Sequence, residues 1–141
     1  MRANKRKQVY MGTTKIEADR TAAEIIAELV RVGAKSVNTD YKNGKIDGIR
    51  WIMSVNGNDT LFEMPARVDP VVKILGNREQ GVRTAWRQLL RWVQAQNAMI
   101  ETGMVHAAEV YFAYHVPEGS ARTLFEIALD SPKFKLLGPP Q

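Results

Sequence analysis

An α+β fold is predicted for this chain: an antiparallel β-meander followed by a helical half. Three observations predict it. Alternating apolar segments between residues 37 and 64 are separated by the turn dipeptide Asn43-Gly44 and by Asn56-Gly57-Asn58-Asp59. The motif Thr21-Ala-Ala-Glu24 has capping-box spacing and precedes Ile25, Ile26, Leu29 and Val30, which follow with helical spacing. A long amphipathic run from Arg78 to Thr102 lies between Gly76 and Gly103. The expected order is β-α-β-β-β-α-α-α-α, and a length of 141 residues suits one domain. The expected boundaries are a basic arm at 1–7, a domain at 8–130 and a loose proline-bounded tail at 131–141.

Each element has a local reason. Residues 8–17 contain Val9, Tyr10, Thr13, Thr14 and Ile16, whose β-propensity predicts a first strand. The capping box opens a helix over 22–32, and Gly33 stands where a left-handed C-cap belongs. Val37, Thr39 and Tyr41 alternate with polar residues. Ile49, Trp51, Met53 and Val55 share one face of the returning strand, and Thr60 to Met64 returns again before Pro65. Asp69-Pro70 reads as an N-cap followed by proline at the first helical position, opening a short helix that ends at Gly76. Val105 to Tyr111 reads as another short helix, and Pro117-Glu-Gly119 as a turn that places His115 nearby. Thr123-Leu-Phe-Glu126 is a second capping box and opens a last helix through Leu129.

Composition narrows the function classes. Hydrophobic residues at 45% and charged residues at 25% describe a folding chain. The absence of cysteine excludes disulfides, a thiol nucleophile and thiolate-held zinc. No apolar run approaches the roughly 18 residues of a membrane span, and no apolar stretch follows the basic start as a secretory signal requires. A cytoplasmic protein without a membrane partner is expected.

The net charge of +5 is unevenly placed. Arg2, Lys5, Arg6 and Lys7 supply four positive charges in the first seven residues, so the rest of the chain is close to neutral. Residues 78–91 are basic through Arg78, Arg83, Arg87 and Arg91, whereas residues 101–130 are acidic through Glu101, Glu109, Glu118, Glu126 and Asp130. Such asymmetry steers an anionic partner to one side.

The long helix carries the main candidate. Counted at about 100° per residue from Arg83, Arg87 falls near 40° and Arg91 near 80°. Gln80, Thr84, Gln88 and Gln94 share their half. Val82, Trp86, Leu89, Leu90 and Val93 occupy the other half, where Trp86 is expected to meet Trp51 between sheet and helix. Arginines one turn apart can each grip a phosphate with two hydrogen bonds. The alternative is a solvated face whose arginines pair with nearby carboxylates. Trp92, near the edge of the apolar arc, is the tryptophan available for stacking on an unpaired base. The expected nucleic-acid contacts are therefore Arg78, Arg83, Arg87, Arg91 and Trp92, together with Arg2, Lys5, Arg6 and Lys7 of the arm.

Catalytic signatures are sparse. There is no phosphate-binding glycine loop, no dinucleotide fingerprint and no G-x-S-x-G. His106 and Glu109 have the i, i+3 spacing of a bridged metal site, but such sites use two or more helices. Asp40, Asp47, Asp59 and Glu63 on or beside the meander are the carboxylates from which a magnesium-dependent nuclease site would be drawn. No catalytic residue, metal or cofactor is assigned, and a non-enzymatic role is expected.

The run Arg83-Thr-Ala-Trp86-Arg87-Gln-Leu-Leu90, then Val93-Gln-Ala-Gln96 and Ile100-Glu101-Thr-Gly103, resembles small proteins encoded in bacteriophage and prophage genomes. The capped helix Glu24-Ile25 to Leu29, Tyr41-x-x-Gly44, Met64-Pro65 and Gly119-x-x-x-Thr123-Leu extend the likeness over residues 10–129. The resemblance implies a phage context in the host cytoplasm and an α+β fold, and it implies no active site. The leading expectation is a nucleic-acid-binding accessory in phage replication or recombination. The alternative is a protein-binding module, such as an inhibitor of host defence or an adaptor, using the acidic segment or the meander edge. A homodimer through Trp92, Leu90 and Met99 is compatible with the first.

Overall fold

Alternation along a strand puts Ile49, Trp51 and Met53 on one side of the second strand, and that side is the sheet wall of the core. The computed structural model describes residues 8–131. The elements are α1 (Ala18–Arg31), β1 (Ser36–Lys42), β2 (Lys45–Val55), β3 (Asn58–Pro65), α2 (Asp69–Leu75), α3 (Arg78–Glu101), α4 (Ala107–Val110), a 3-10 turn (Phe112–Tyr114), β4 (His115–Val116) and α5 (Leu124–Leu129). The strands form one antiparallel sheet in the order β1-β2-β3-β4. The α+β class and the meander are as the sequence predicts.

Asn43 and Gly44 at the β1–β2 turn have φ of 54° and 76°, the two positive values that a type I′ turn needs. The turn fixes Lys42 opposite Lys45, Thr39 opposite Ile49 and Val37 opposite Trp51, with a bulge between Asp40 and Tyr41. On the core side, Trp51 stacks on Phe62 at 5.4 Å and meets the edge of Tyr111 at 5.2 Å. Ile25 and Leu29 of α1 and Trp86, Leu90 and Val93 of α3 complete this core with no exposed surface. Trp51 and Trp86 thus both lie in the core, with no exposed surface. On the opposite side of the sheet, Arg50 is exposed and bridges Asp40 at 3.6 Å and Glu63 at 3.0 Å.

Four local expectations are corrected. Residues 8–17 form a turn and an irregular strap rather than a strand. Gly12 N–H closes on Val9 O at 2.7 Å and Thr14 N–H on Met11 O at 3.1 Å, and α3 side chains take the carbonyls of Tyr10, Gly12 and Thr14. Thr21-Ala-Ala-Glu24 is not a capping box: α1 starts at Ala18 with Glu17 as N-cap, and Thr21 is fully buried inside the helix. Asp69 is the first residue of α2 rather than its cap, and Val68 takes the cap position. His115 belongs to β4, pairing with Phe62, rather than to a turn. The second capping box is as predicted: Thr123 N–H reaches Glu126 Oε1 at 2.9 Å, and Glu126 N–H reaches Thr123 Oγ1 at 3.2 Å.

Candidate nucleic-acid interface

The polar half of α3 is not open to solvent along its length. Two other segments lie on it. Arg87 is 5% exposed. Its Nη1 donates to Thr21 Oγ1 at 3.2 Å and to Glu24 Oε1, so its charge is spent on α1. Arg83, one turn earlier, donates to Gln80 Oε1 at 2.6 Å and to Glu17 at 3.3 Å. The arginine stripe is therefore largely a seam between α1 and α3. A cation there keeps a long stem against apolar neighbours and delivers its head to the acids of the facing helix.

The strap occupies the adjoining strip. Gln80 Nε2 donates to Gly12 O at 3.0 Å and Thr14 O at 2.8 Å. Thr84 Oγ1 donates to Met11 O at 3.3 Å, and Gln88 Nε2 to Tyr10 O at 2.8 Å. Gln80, Thr84 and Gln88 stand at i, i+4 and i+8, so they project from one line of the helix surface. They satisfy carbonyls that have no sheet partner, which is why residues with strand propensity are held irregularly here.

The other candidate residues are dispersed. Arg91 is exposed and donates to Gln94 Oε1 at 2.8 Å. Arg78 is exposed and pairs with Asp69 at 2.9 Å. Trp92 is half-buried, with Tyr111 and Tyr114 set edge-on to it at 5.6 Å and 6.1 Å. Arg2, Lys5, Arg6 and Lys7 lie outside the described residues. The strip suggested for a dimer is partly core, since Leu90 has no exposed surface. The carboxylates of the meander are divided among separate cations, Asp40 and Glu63 on Arg50 and Asp59 on Lys35. Among the described residues no three His, Asp or Glu side chains converge as metal ligands. No described helix is long and apolar enough to cross a membrane.

In the acidic segment, Glu101 is paired with Arg31. Glu109 accepts from the His106 backbone N–H at 3.3 Å, so the i, i+3 pair serves the start of α4. Burial, with the Glu28 carboxylate adding to it, raises the Tyr111 phenol above its ordinary range. That hydroxyl donates to Asn97 Oδ1 at 2.7 Å, and Asn97 Nδ2 donates to Glu28 O at 3.0 Å. The network ties α1, α3 and the end of α4 together and presents nothing to a ligand.

Cations without a carboxylate partner gather elsewhere. A groove of about 880 Å³ runs between the β1–β2 hairpin, the start of α1 and the segment entering α2. Lys42, Lys45 and Arg67 line it, each exposed and none within ion-pair distance of a carboxylate among the described residues. Tyr41, 62% exposed, stands beside them. Glu17, Asp19 and Asp47 also line the groove, Glu17 being paired with Arg83, and its Arg78 and Asp69 are paired with each other. Arg67 projects from the loop between β3 and α2 with its guanidinium 5.5 Å from the centre of the Phe125 ring.

Arg67 also borders a second, smaller pocket of about 270 Å³, walled by Val71, Leu89, Trp92 and Tyr114 and including Gln88. The two concavities thus meet at one arginine. The hairpin lysines are not among the contacts expected from the sequence, although Tyr41-Lys-Asn-Gly-Lys45 carries the signal, a turn with a cation at each shoulder. Arg67 was not legible, because nothing in its local sequence places it at this junction. No family model, curated protein or solved structure matches the chain.

Proposed function

We propose that this protein is a small accessory protein that binds nucleic acid, with the folded contact at the groove bordered by Lys42, Lys45 and Arg67 rather than along the arginine stripe of α3. The observation that carries the reading is the register of the hairpin. Lys42 and Lys45 face each other across the turn, where like charges cost stability. They and Arg67 line one groove without ion-pair partners among the described residues. Cations held in that way are available to phosphate oxygens. The basic residues Arg2, Lys5, Arg6 and Lys7 add nonspecific attraction, and exposed Arg91 lies one turn beyond the Gln88 that holds Tyr10. A phage context is what the resemblance over residues 10–129 implies, and a part in replication or recombination is proposed with it.

The test is fluorescence anisotropy with labelled oligonucleotides between about 50 and 200 mM salt. The proteins are the intact chain, a chain lacking residues 1–7, and Lys42/Lys45/Arg67→Ala. The intact chain is expected to bind with steep salt dependence. The triple variant is expected to weaken binding at least tenfold while unfolding at no lower a urea concentration. Equal binding by the intact chain and the triple variant removes the groove from the reading.

A second reading, a protein-binding module, is favoured by the edge of β1, where among the described residues Ser36–Lys42 pairs with β2 on one side only. An extended peptide added there would gain main-chain hydrogen bonds. Such binding survives moderate salt, whereas the groove contact does not.

A further inference from the structure

We propose that the pocket walled by Trp92 and Tyr114 receives a single unpaired base, and that the strand carrying it crosses Arg67 into the lysine-lined groove. The inference rests on the nucleic-acid reading and names its substrate class: single-stranded rather than duplex.

Four features carry it. The first is size. At about 270 Å³ the pocket falls below the roughly 300–1,000 Å³ of sites for whole drug-sized ligands and suits one planar ring system. The second is the chemistry of its wall. Trp92 and Tyr114 bring aromatic surface, while Val71 and Leu89 supply apolar packing. Base–aromatic contact is tolerant of base identity, because every base has a π-face. Gln88 adds a polar edge. Its Nε2 is committed to Tyr10 O, while its Oε1 accepts no hydrogen bond among the described residues and can accept from a base amino group.

The third feature is Arg67. Its guanidinium is held against Phe125 rather than by a carboxylate, so its N–H donors remain available at the pocket lip. It lines both concavities, so a phosphate beside the inserted base lies next to the groove of Lys42 and Lys45. The fourth concerns the duplex alternative. A duplex keeps its bases stacked and paired, so none can lie against Trp92 and Tyr114 without being flipped out. A helix laid in a major groove needs an open polar face. The polar face of α3 is covered by α1 at Arg87 and by the strap at Gln80 and Gln88.

The experiment uses the full chain and three labelled ligands of equal length: an oligothymidine, the same backbone with abasic sites, and a duplex. Anisotropy gives affinity, and tryptophan emission reports the pocket, since Trp51 and Trp86 are fully buried and Trp92 is not. Ala85→Leu plugs the pocket from a helix where leucine is well accepted. Near-ultraviolet circular dichroism checks its fold, and Val71→Phe serves as a second plug on a different helix.

The single strand is expected to bind about tenfold tighter than the abasic strand, within the range for one stacked base. It is also expected to quench emission in the native chain but not in Trp92→Phe. Both plugs are expected to bring single-stranded and abasic affinities together and leave the abasic affinity unchanged. Equal affinity of the native chain for all three ligands overturns the pocket inference and leaves the nucleic-acid reading standing. Binding of none of them overturns both. Persistence of the single-strand preference in both plugged proteins also overturns the pocket inference.

Discussion

Arg87 of α3 reaches across to Glu24 of α1, with its guanidinium almost wholly withdrawn from solvent and also bonded to Thr21. The contact changes what an alanine scan of the stripe would measure. Arg87→Ala is expected to lower stability by about 2 kcal/mol. That is less than the roughly 3–5 kcal/mol of breaking a fully buried pair, because Glu24 keeps 42% of its side-chain surface and can rehydrate. Arg91→Ala, at an exposed site, is expected to stay within about 0.5 kcal/mol. Urea unfolding of the two single variants checks this. A loss of binding in an Arg83/Arg87/Arg91→Ala protein would therefore mix a weakened α1–α3 seam with any lost phosphate contact.

Lys45→Glu converts the facing lysines of the hairpin into an opposite-charge pair. Thermal unfolding at low salt is expected to show a gain of a few tenths of a kcal/mol, up to about 0.5, that shrinks as salt rises. Oligonucleotide affinity is expected to fall several-fold in the same protein. A variant that gains stability and loses binding marks a residue held for its charge. Loss of both would instead mark Lys45 as structural.

Tyr111 makes stability depend on pH above the neutral range. Burial first, and the Glu28 carboxylate second, raise the folded phenol above its ordinary value of 10.0. Below that pH both states hold the proton, and the stabilisation is fully present. Above it the unfolded phenol ionises while the folded one does not, so stability is lost as pH rises. The slope attributable to this group approaches about 1.4 kcal/mol per pH unit. Urea unfolding between pH 9 and 11, compared with Tyr111→Phe, isolates it. The variant is expected to be flatter over this interval.

Gly81 is the contact point between α2 and α3. A Cβ placed there would lie 2.5 Å from Val72 Cα, and 2.8 Å from Val72 N. Both are backbone atoms that cannot swing aside. Alanine gains about 1 kcal/mol of helix propensity over glycine. Overpacking costs typically about 1–3 kcal/mol, so the clash is expected to win. Gly81→Ala should unfold at lower urea and loosen α2, seen as faster amide exchange over Asp69–Leu75.

Two instances of one motif show how far the sequence could be read. Thr123 and Glu126 exchange side-chain-to-backbone bonds at the start of α5, as their spacing predicts. Thr21 and Glu24 have the same spacing and do something else. Ala18, Asp19 and Arg20 extend α1 ahead of them, and both side chains turn to Arg87, more than sixty positions away. The meander was legible because alternation and Asn-Gly turns are local signals. The strap was not, because its conformation is set by Gln80, Thr84 and Gln88. β4 is two residues long and exists only by its register with Leu61 and Phe62. At the candidate site, the sequence predicts the turn at Asn43-Gly44 but passes over its flanking lysines, and the junction at Arg67 depends on loops that meet only in the folded chain.

The strap of residues 8–16 is gripped by its carbonyl oxygens, at Tyr10, Met11, Gly12 and Thr14. Every amino acid presents the same carbonyl. Most side chains of the strap are therefore replaceable without loosening it, while Gln80, Thr84 and Gln88 on the helix are not. The attachment behaves as a mount of fixed position that reads the main chain more than the side chains. Substitutions would accumulate at exposed strap positions such as Thr13 and Lys15 but not at Gly12, where a Cβ would lie 2.7 Å from Val9 O, and a foreign segment fused ahead of the strap would be delivered to the same side of α3.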